Sequence, residues 1–469
     1  MEASSPTLDC RGLPPALAVL RIKQAISATR DAHAPVRVVL GEDCGRDRVS
    51  LALGEAAGRL QYADAPGPEP ARPWWQRRDL RYRDGRLHLG GTDVGELAEQ
   101  VGTPAYVVRA DRVRENVERL AGAMAAADLD HRVYYAIKAN RSPGLLTYLR
   151  TTGLVGVDVC SAGELLHVLA AGFAPDSISF TGTSLSRREI ELLTRFRGLR
   201  VNFDSLSSLD AFGRACPGRE VGLRINPGVG VGYHGDERLN YSGAPTTKFG
   251  IYREHLDEVR AIAERWDLDV VRLHFHVGCG FLDAELSQLE DALDAADAFT
   301  GHFPDLREIN LGGGLGVPHT AADRALDLDR WAGAVARRFA GRGLVVAVEP
   351  GDYLVKDAGL LLTTVTYVER RRDVLFAGLD AGFNLAVEPA FYGLPCEPVA
   401  VAPRPDGGTA TYTVVGNVNE ALDRWASDHR MPELREGDHV ALINAGGYAA
   451  SMRSEHCLRG EAREVLLID

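Results

Sequence analysis

One pattern constrains this chain more than any other. Eight short apolar segments, at 133–137, 155–159, 177–181, 199–203, 221–225, 270–276, 308–311 and 345–349, alternate with stretches of helical periodicity. Such alternation builds parallel sheets, because a parallel strand must return through a crossover. No early Gly-x-Gly-x-x-Gly is present, so the pattern predicts an α/β fold of the (β/α)8 barrel type rather than a doubly wound sheet. Barrels of this kind hold their chemistry at the C-terminal ends of the strands. Lys138, Asp158, Arg224, His276, the glycines at 312, 313 and 314, and Glu349 all fall at those ends.

Each end has a chemical and a plain reading. Tyr134-Tyr135-Ala136-Ile137-Lys138 is an apolar strand closed by a lysine, and burying that ammonium is costly unless it is neutralised or used. Used as a Schiff-base amine, Lys138 needs a lowered pKa; otherwise it snorkels to solvent. His276, in His274-Phe275-His276-Val277-Gly278-Cys279-Gly280, suits stacking on a flat ring or service as a core histidine. Its glycines let backbone amides approach a phosphate. Gly312, Gly313, Gly314 and Gly316 suit an anion nest after the seventh strand, where barrels often hold phosphate; the alternative is a flexible turn. Glu349, ahead of Pro350-Gly351, suits pairing with a pyridinium nitrogen, although a glutamate before such a turn is common at surfaces.

The chain's 469 residues exceed one ordinary core, so several domains are expected. They are read as a small α/β domain (1–66), a proline-rich linker (67–74), first strands of a β domain (75–110), the barrel (111–354) and a C-terminal β-barrel domain (355–469). A net charge of −12 argues against a nucleic-acid-binding body. Neither a membrane span nor a secretory leader is apparent, and seven scattered cysteines suit a reducing compartment, so a cytoplasmic location is expected. No cysteine pair has zinc-ligand spacing, and no metal is expected.

Two resemblances sharpen these readings. Leu8-Asp9-x-x-Gly12, followed by a turn and helix, resembles the TusA-type sulfur-carrier domains. That family's reactive cysteine is replaced here by Pro15, so sulfur relay does not carry over. Cys10 lies on the strand, and a docking or folding appendage with a protein partner is the favoured role. Tyr135-Ala136-Ile137-Lys138-Ala139-Asn140, His276-Val277-Gly278-x-Gly280, Gly312-Gly313-Gly314 and Glu349-Pro350-Gly351 resemble, in the same order, the fold-type III pyridoxal-phosphate decarboxylases. These include the diaminopimelate, ornithine and arginine decarboxylases, with an alanine-racemase-like barrel. The resemblance implies pyridoxal 5'-phosphate on Lys138, with His276 on the ring and Glu349 at its nitrogen. Gly278, Cys279, Gly312, Gly313, Gly314, Gly351 and Tyr448 would surround the phosphate, and Asp158 and Arg224 would complete the cofactor site. It also implies a homodimer in which the partner supplies Asn417-Val418-Asn419-Glu420 and Tyr448. Catalysis is assigned to Lys138, Glu420 and His276, and substrate contact to Asp352, Glu388, Tyr392, Asn419 and Glu420.

Three departures matter. The family usually has cysteine, a proton donor, at Asn419; an amide cannot serve, so Lys138, or else a water on Glu420, is expected to donate. The Glu-Pro-Gly motif normally continues with arginine, and here continues with Asp352. Diaminopimelate enzymes have arginine where Glu388 stands. Two anions in place of two cations would repel a distal carboxylate, so α-decarboxylation of an amino acid with a basic or non-carboxylate tail is expected. Lys356, four residues after Asp352, is a candidate neutraliser. The alternatives are diaminopimelate decarboxylation itself, an amino-acid racemase or epimerase, and a catalytically silent regulator.

Overall fold

The eight expected segments close into a parallel barrel. In the computed structural model its strands are β1 (His131–Ala136), β2 (Gly156–Val159), β3 (Ile178–Gly182), β4 (Arg200–Phe203), β5 (Glu220–Arg224), β6 (Asp269–His274), β7 (Glu308–Asn310) and β8 (Val345–Val348). Strand β8 pairs with β1 to complete the ring. The structure describes residues 8–10, 15–28, 35–40, 46–62, 73–243 and 246–468. Of the expected 67–74 linker, only Pro73 and Trp74 fall within them, and the turn at Gly12, Leu13 and Pro14 lies outside.

Alternation along each strand sorts the barrel's side chains. Val157, Phe180, Phe203, Leu223, Leu273, Ile309 and Val346 are fully buried in the apolar core that includes the helices. The other set is polar: Asp158, Ser179, Asn202, Arg224, Arg272, His274, Glu308 and Asn310, all buried. A barrel lumen is ordinarily packed with branched aliphatics, so this one keeps its charges only by pairing them. Towards the strand starts, Glu308 receives Arg132 at 3.1 Å and Arg200 at 3.2 Å. Towards the strand ends the polar set converges on Glu349. Serines past those ends start the helices that follow: Ser161, Ser186 and Ser205 each cap a helix N-terminus, worth about 1 kcal/mol apiece.

The C-terminal residues build an eight-stranded, mostly antiparallel sheet around the long strand Gly359–Arg371. This strand pairs with Val374–Leu379, His439–Ile443 and also with Ala105–Arg109, which precedes the barrel. Ala105–Arg109 in turn pairs with Arg463–Leu467. Barrel and sheet together form the alanine-racemase-like architecture. By packing, the chain divides into two units, Met1–Trp74 and Trp75–Asp469. In the first, Leu8–Cys10, Val36–Leu40 and Leu60–Tyr62 form a parallel sheet with helices Pro15–Ala28 and Arg46–Leu53 between them. Cys10 is fully buried there with Ala18, Ile22 and Val38, which makes its thiol part of the core. No helix among the described residues is long and apolar enough to cross a membrane, and no metal-ligating cluster occurs among them.

Candidate active site

Lys138 lies two residues past the end of β1, its side chain about one-third exposed, with Nζ 3.2 Å from Asp158 Oδ2 at the end of β2. Burial by itself would depress this ammonium. The fields of Asp158, Cys160 and Glu349 outweigh burial and raise the pKa above the ordinary lysine value. The lowered pKa expected for a Schiff-base amine is therefore not found: this lysine holds its proton, because two acids face it. Asp158 is pushed up to about 7 by burial and by the like charge of Glu349, with Lys138 pulling the other way.

Glu349, one residue past β8, is nearly inaccessible. Its Oε1 accepts from Ser179 Oγ at 2.8 Å and from Asn310 Nδ2 at 2.7 Å; its Oε2 lies 2.8 Å from His274 Nε2. Burial opposes ionisation, but His274, Lys138 and Ser179 overcome it and bring the carboxyl down to about 2. Glu349 is thus an anion inside the barrel, and Asp158 takes the upward shift between the two. Three of its partners, Ser179, His274 and Asn310, were not singled out in the sequence. The signal for them was available, since each is a polar residue directly following a buried apolar one, Ile178, Leu273 or Ile309, in the alternation of its strand.

His276, two residues past β6, is half-buried, and loss of solvent around its ring together with Lys138 and Arg224 pushes its pKa well below the histidine range, leaving a neutral imidazole. Tyr241 meets it edge-on at 4.8 Å, and Tyr241 Oη is 3.2 Å from Cys279 Sγ. Arg224 at the end of β5 lies over Phe249 at 4.4 Å. The glycines at 312 to 314 are sterically compelled. A Cβ at Gly312 would stand 2.6 Å from the Phe275 carbonyl, and one at Gly313 2.6 Å from the Glu349 carbonyl. Gly312 also has φ +67°, a conformation that favours glycine.

Tyr448 corrects an expectation. It was read as arriving from a partner, yet it reaches the site within its own chain. Its backbone N–H donates to the Ala139 carbonyl at 2.7 Å, Asn140 Nδ2 donates to the Gly446 carbonyl at 3.0 Å, and Ser451 Oγ donates to Ala139 O at 3.2 Å. These bonds fasten the 446–451 segment to the end of β1, in the same chain. The Tyr448 hydroxyl would lie 3.2 Å from a Cβ on Gly351. By contrast, Asn419 and Glu420 are exposed on the sheet domain, and Glu420 is paired with His456 at 3.2 Å rather than with any residue around Lys138.

Asp352 and Glu388 require a second correction. They do not stand as two free negative charges, because Lys356, 1% exposed, lies between them: Nζ is 2.8 Å from Asp352 and 3.0 Å from Glu388. Burial would lower the Lys356 pKa, but Asp352 and Glu388 raise it above the ordinary value; burial in turn pushes Glu388 up to about 7 against the pull of Lys356. Two anions and one cation leave a single negative charge. Tyr392, with Cys279, packs against Tyr233, Leu239, Leu282 and Leu394.

The donor set fits pyridoxal phosphate. An amine and an anionic carboxylate stand on adjacent strands, a neutral imidazole and a glycine cradle on the next two, and a tyrosine hydroxyl beside Gly351. Residues 110–356 match the family described as pyridoxal-dependent decarboxylase, pyridoxal binding domain. The chain belongs to the pyridoxal-dependent decarboxylases. A diaminopimelate decarboxylase of Methanothermobacter thermautotrophicus is 37% identical to this decarboxylase over 404 residues, covering 83% of this chain and 92% of the relative. The Escherichia coli (strain K12) diaminopimelate decarboxylase is 32% identical over 401 residues, covering 81% and 92%. Among solved structures, the Helicobacter pylori diaminopimelate decarboxylase complexed with L-lysine superposes with a TM-score of 0.72 at 27% identity, covering 80% of this chain and 94% of that one. An SrLDC mutant in complex with PLP gives 0.69 at 26%, covering 82% and 96%. Pyridoxal phosphate is the cofactor and amino-acid decarboxylation the reaction.

Proposed function

We propose that this decarboxylase removes the α-carboxylate of an amino acid whose far end carries no free carboxylate. The observation that carries the proposal is the Asp352–Lys356–Glu388 triad. Its one cation is buried and bound to two carboxylates, so the trio offers no free ammonium and, with Glu388 ionised, carries one net negative charge. A distal carboxylate brought against it would meet like charge, which costs several kcal/mol. A second reading, diaminopimelate decarboxylation, is favoured by the names of the relatives at 32–37% identity.

In either reading the chain's residues divide the work. When bound, pyridoxal phosphate supplies the electron sink into which the breaking carbon–carboxylate bond drains. Lys138 supplies the amine that carries the cofactor. Glu349 would offer an anion to the pyridine nitrogen and His276 an uncharged face to the ring, while Gly312, Gly313, Gly314 and the Tyr448 hydroxyl would hold the phosphate. Lys138, kept protonated by Asp158, returns a proton to the substrate α-carbon in place of the thiol missing at Asn419. Asn419 and Glu420 contribute from the second copy of a homodimer; their exposure on the sheet domain, with Glu420 paired to His456, supports that reading.

The test is a panel of lysine, ornithine, arginine and meso-diaminopimelate, scored for carbon dioxide and amine product. Faster turnover of one of the three lacking a distal carboxylate is expected. Preference for meso-diaminopimelate would overturn the proposal in favour of the second reading.

A further inference from the structure

Glu349 stands inside a set of oriented hydrogen bonds that the decarboxylation reading leaves unused. An ionised carboxylate has about four acceptor positions. Oε1 fills two with Ser179 and Asn310, and Oε2 fills one with His274. One acceptor position is left.

The direction of each bond is fixed by its far end. Asn202 Nδ2 donates to Ser179 Oγ at 3.3 Å, so the serine's own hydrogen goes to Glu349. Asn310 Oδ1 accepts the Gly312 N–H at 2.9 Å, which turns its Nδ2 towards Glu349 and ties the carboxylate to the glycine cradle. His274 must place a hydrogen on Nε2 to satisfy Oε2, and its Nδ1 is buried with no partner. All three donors sit on barrel strands, not loops, and each is 1% exposed. A side chain held so tightly has neither freedom nor hydrogens to spare for another duty.

We infer that His274, with Ser179 and Asn310, is the positioning device that keeps Glu349 ionised with one open acceptor position, and thereby fixes the protonation of the cofactor's pyridine nitrogen. The inference rests on the reading that Glu349 faces that nitrogen. Besides these donors, the charged and titratable groups whose fields Glu349 shares are Lys138, Asp158, Arg224 and His276. The field of Lys138 also favours the anion, but that ammonium makes its hydrogen bond to Asp158 and none to Glu349, so the hydrogens that hold the carboxylate in place come from Ser179, Asn310 and His274. Removing one of them raises the Glu349 pKa, and a protonated Glu349 no longer supports a protonated pyridine.

The experiment loads the full chain with pyridoxal phosphate labelled with 15N in the ring and follows the nitrogen signal and cofactor retention against pH. In the unaltered protein the signal stays that of a protonated pyridine into the acid range. His274→Leu is expected to move it towards the neutral value, to shift the acid limb of retention upward, and to weaken cofactor binding by about tenfold, as loss of an outer ligand-orienting group does. His274→Gln, which keeps a donor at that reach, is expected to restore both; a merely space-filling role would not discriminate between them. Ser179→Ala should act in the same direction with a smaller amplitude, and it decides the matter if His274→Leu does not fold. A folded His274→Leu or Ser179→Ala with the unaltered signal and acid limb overturns the inference. An unaltered signal in Glu349→Gln would instead overturn the reading that Glu349 faces the ring.

Discussion

Two lysines, Lys138 and Lys356, are each set against two acids, and they are opposites. Lys138 makes one hydrogen bond, to Asp158, and keeps a third of its side chain open. Lys356 is closed off at 1% exposure, with Asp352 and both oxygens of Glu388 within hydrogen-bonding distance. The same residue types therefore give an open ammonium, the proposed cofactor amine, in one place and a closed ion trio in the other. What separates them is how many ammonium hydrogens are already spent and whether a ligand can reach the nitrogen. Both have pKa values raised by their acids, so a shifted pKa does not by itself distinguish a working lysine from a structural one.

Substitutions at each lysine would break or sharpen that contrast. The largest effect is expected at the open one. Lys138→Ala should abolish the visible absorbance of bound cofactor and cut decarboxylation by about 10²–10⁴-fold or more, the scale for losing a positioned proton-transfer group. It should do so while barely moving the melting temperature. Mixing Lys138→Ala chains with Glu420→Ala chains checks the shared-site reading at the same time: activity recovers only if sites are built from two copies.

Lys356→Met should show the reverse profile. It strands two carboxylates in a dry pocket, and a broken buried ion pair costs about 3–5 kcal/mol, readable as a lower denaturant midpoint. Adding Asp352→Asn and Glu388→Gln should recover most of that loss. An unchanged midpoint in the single variant would mean that the triad is not the closed trio described.

The smallest effect concerns His319, whose pKa is lowered to about 4 by burial and by the field of Lys356, against the opposing fields of Asp352 and Asp323. Its folded pKa is depressed relative to the unfolded value of 6.5, so the unfolded chain binds more protons between those limits. Stability should therefore fall as pH drops from about 6.5 towards 4. His319→Phe should flatten that stretch of the pH–stability curve, and an unchanged slope would show that His319 does not titrate as described.

The barrel was legible from the sequence because strand burial and helix periodicity are local signals. Every expected strand has a counterpart, and Lys138, Asp158, His276, the 312–314 glycines and Glu349 converge as their places at strand ends required. What escaped the sequence was pairing across the chain. Asp352 and Glu388 looked like a negative field; the spacing offered Lys356 as a neutraliser of Asp352, and only the fold shows that it binds Glu388 as well. Tyr448 looked like a partner's residue, because no linear pattern records that its backbone bonds to Ala139. Ser179, His274 and Asn310 were hidden for a different reason: single polar residues within apolar strands look like ordinary interruptions until the ring closes and aims them at one carboxylate.

Strand Ala105–Arg109 is synthesised ahead of the barrel, yet its neighbours are Gly359–Arg371 and Arg463–Leu467. On the ribosome it must wait, unzipped, while the whole barrel emerges. Tyr448, whose backbone bonds to Ala139 beyond the first barrel strand, emerges later still. A nascent barrel can thus acquire its shape well before it can grip a vitamin, and premature termination anywhere in the last sheet would leave a chain that folds in part and stays colourless.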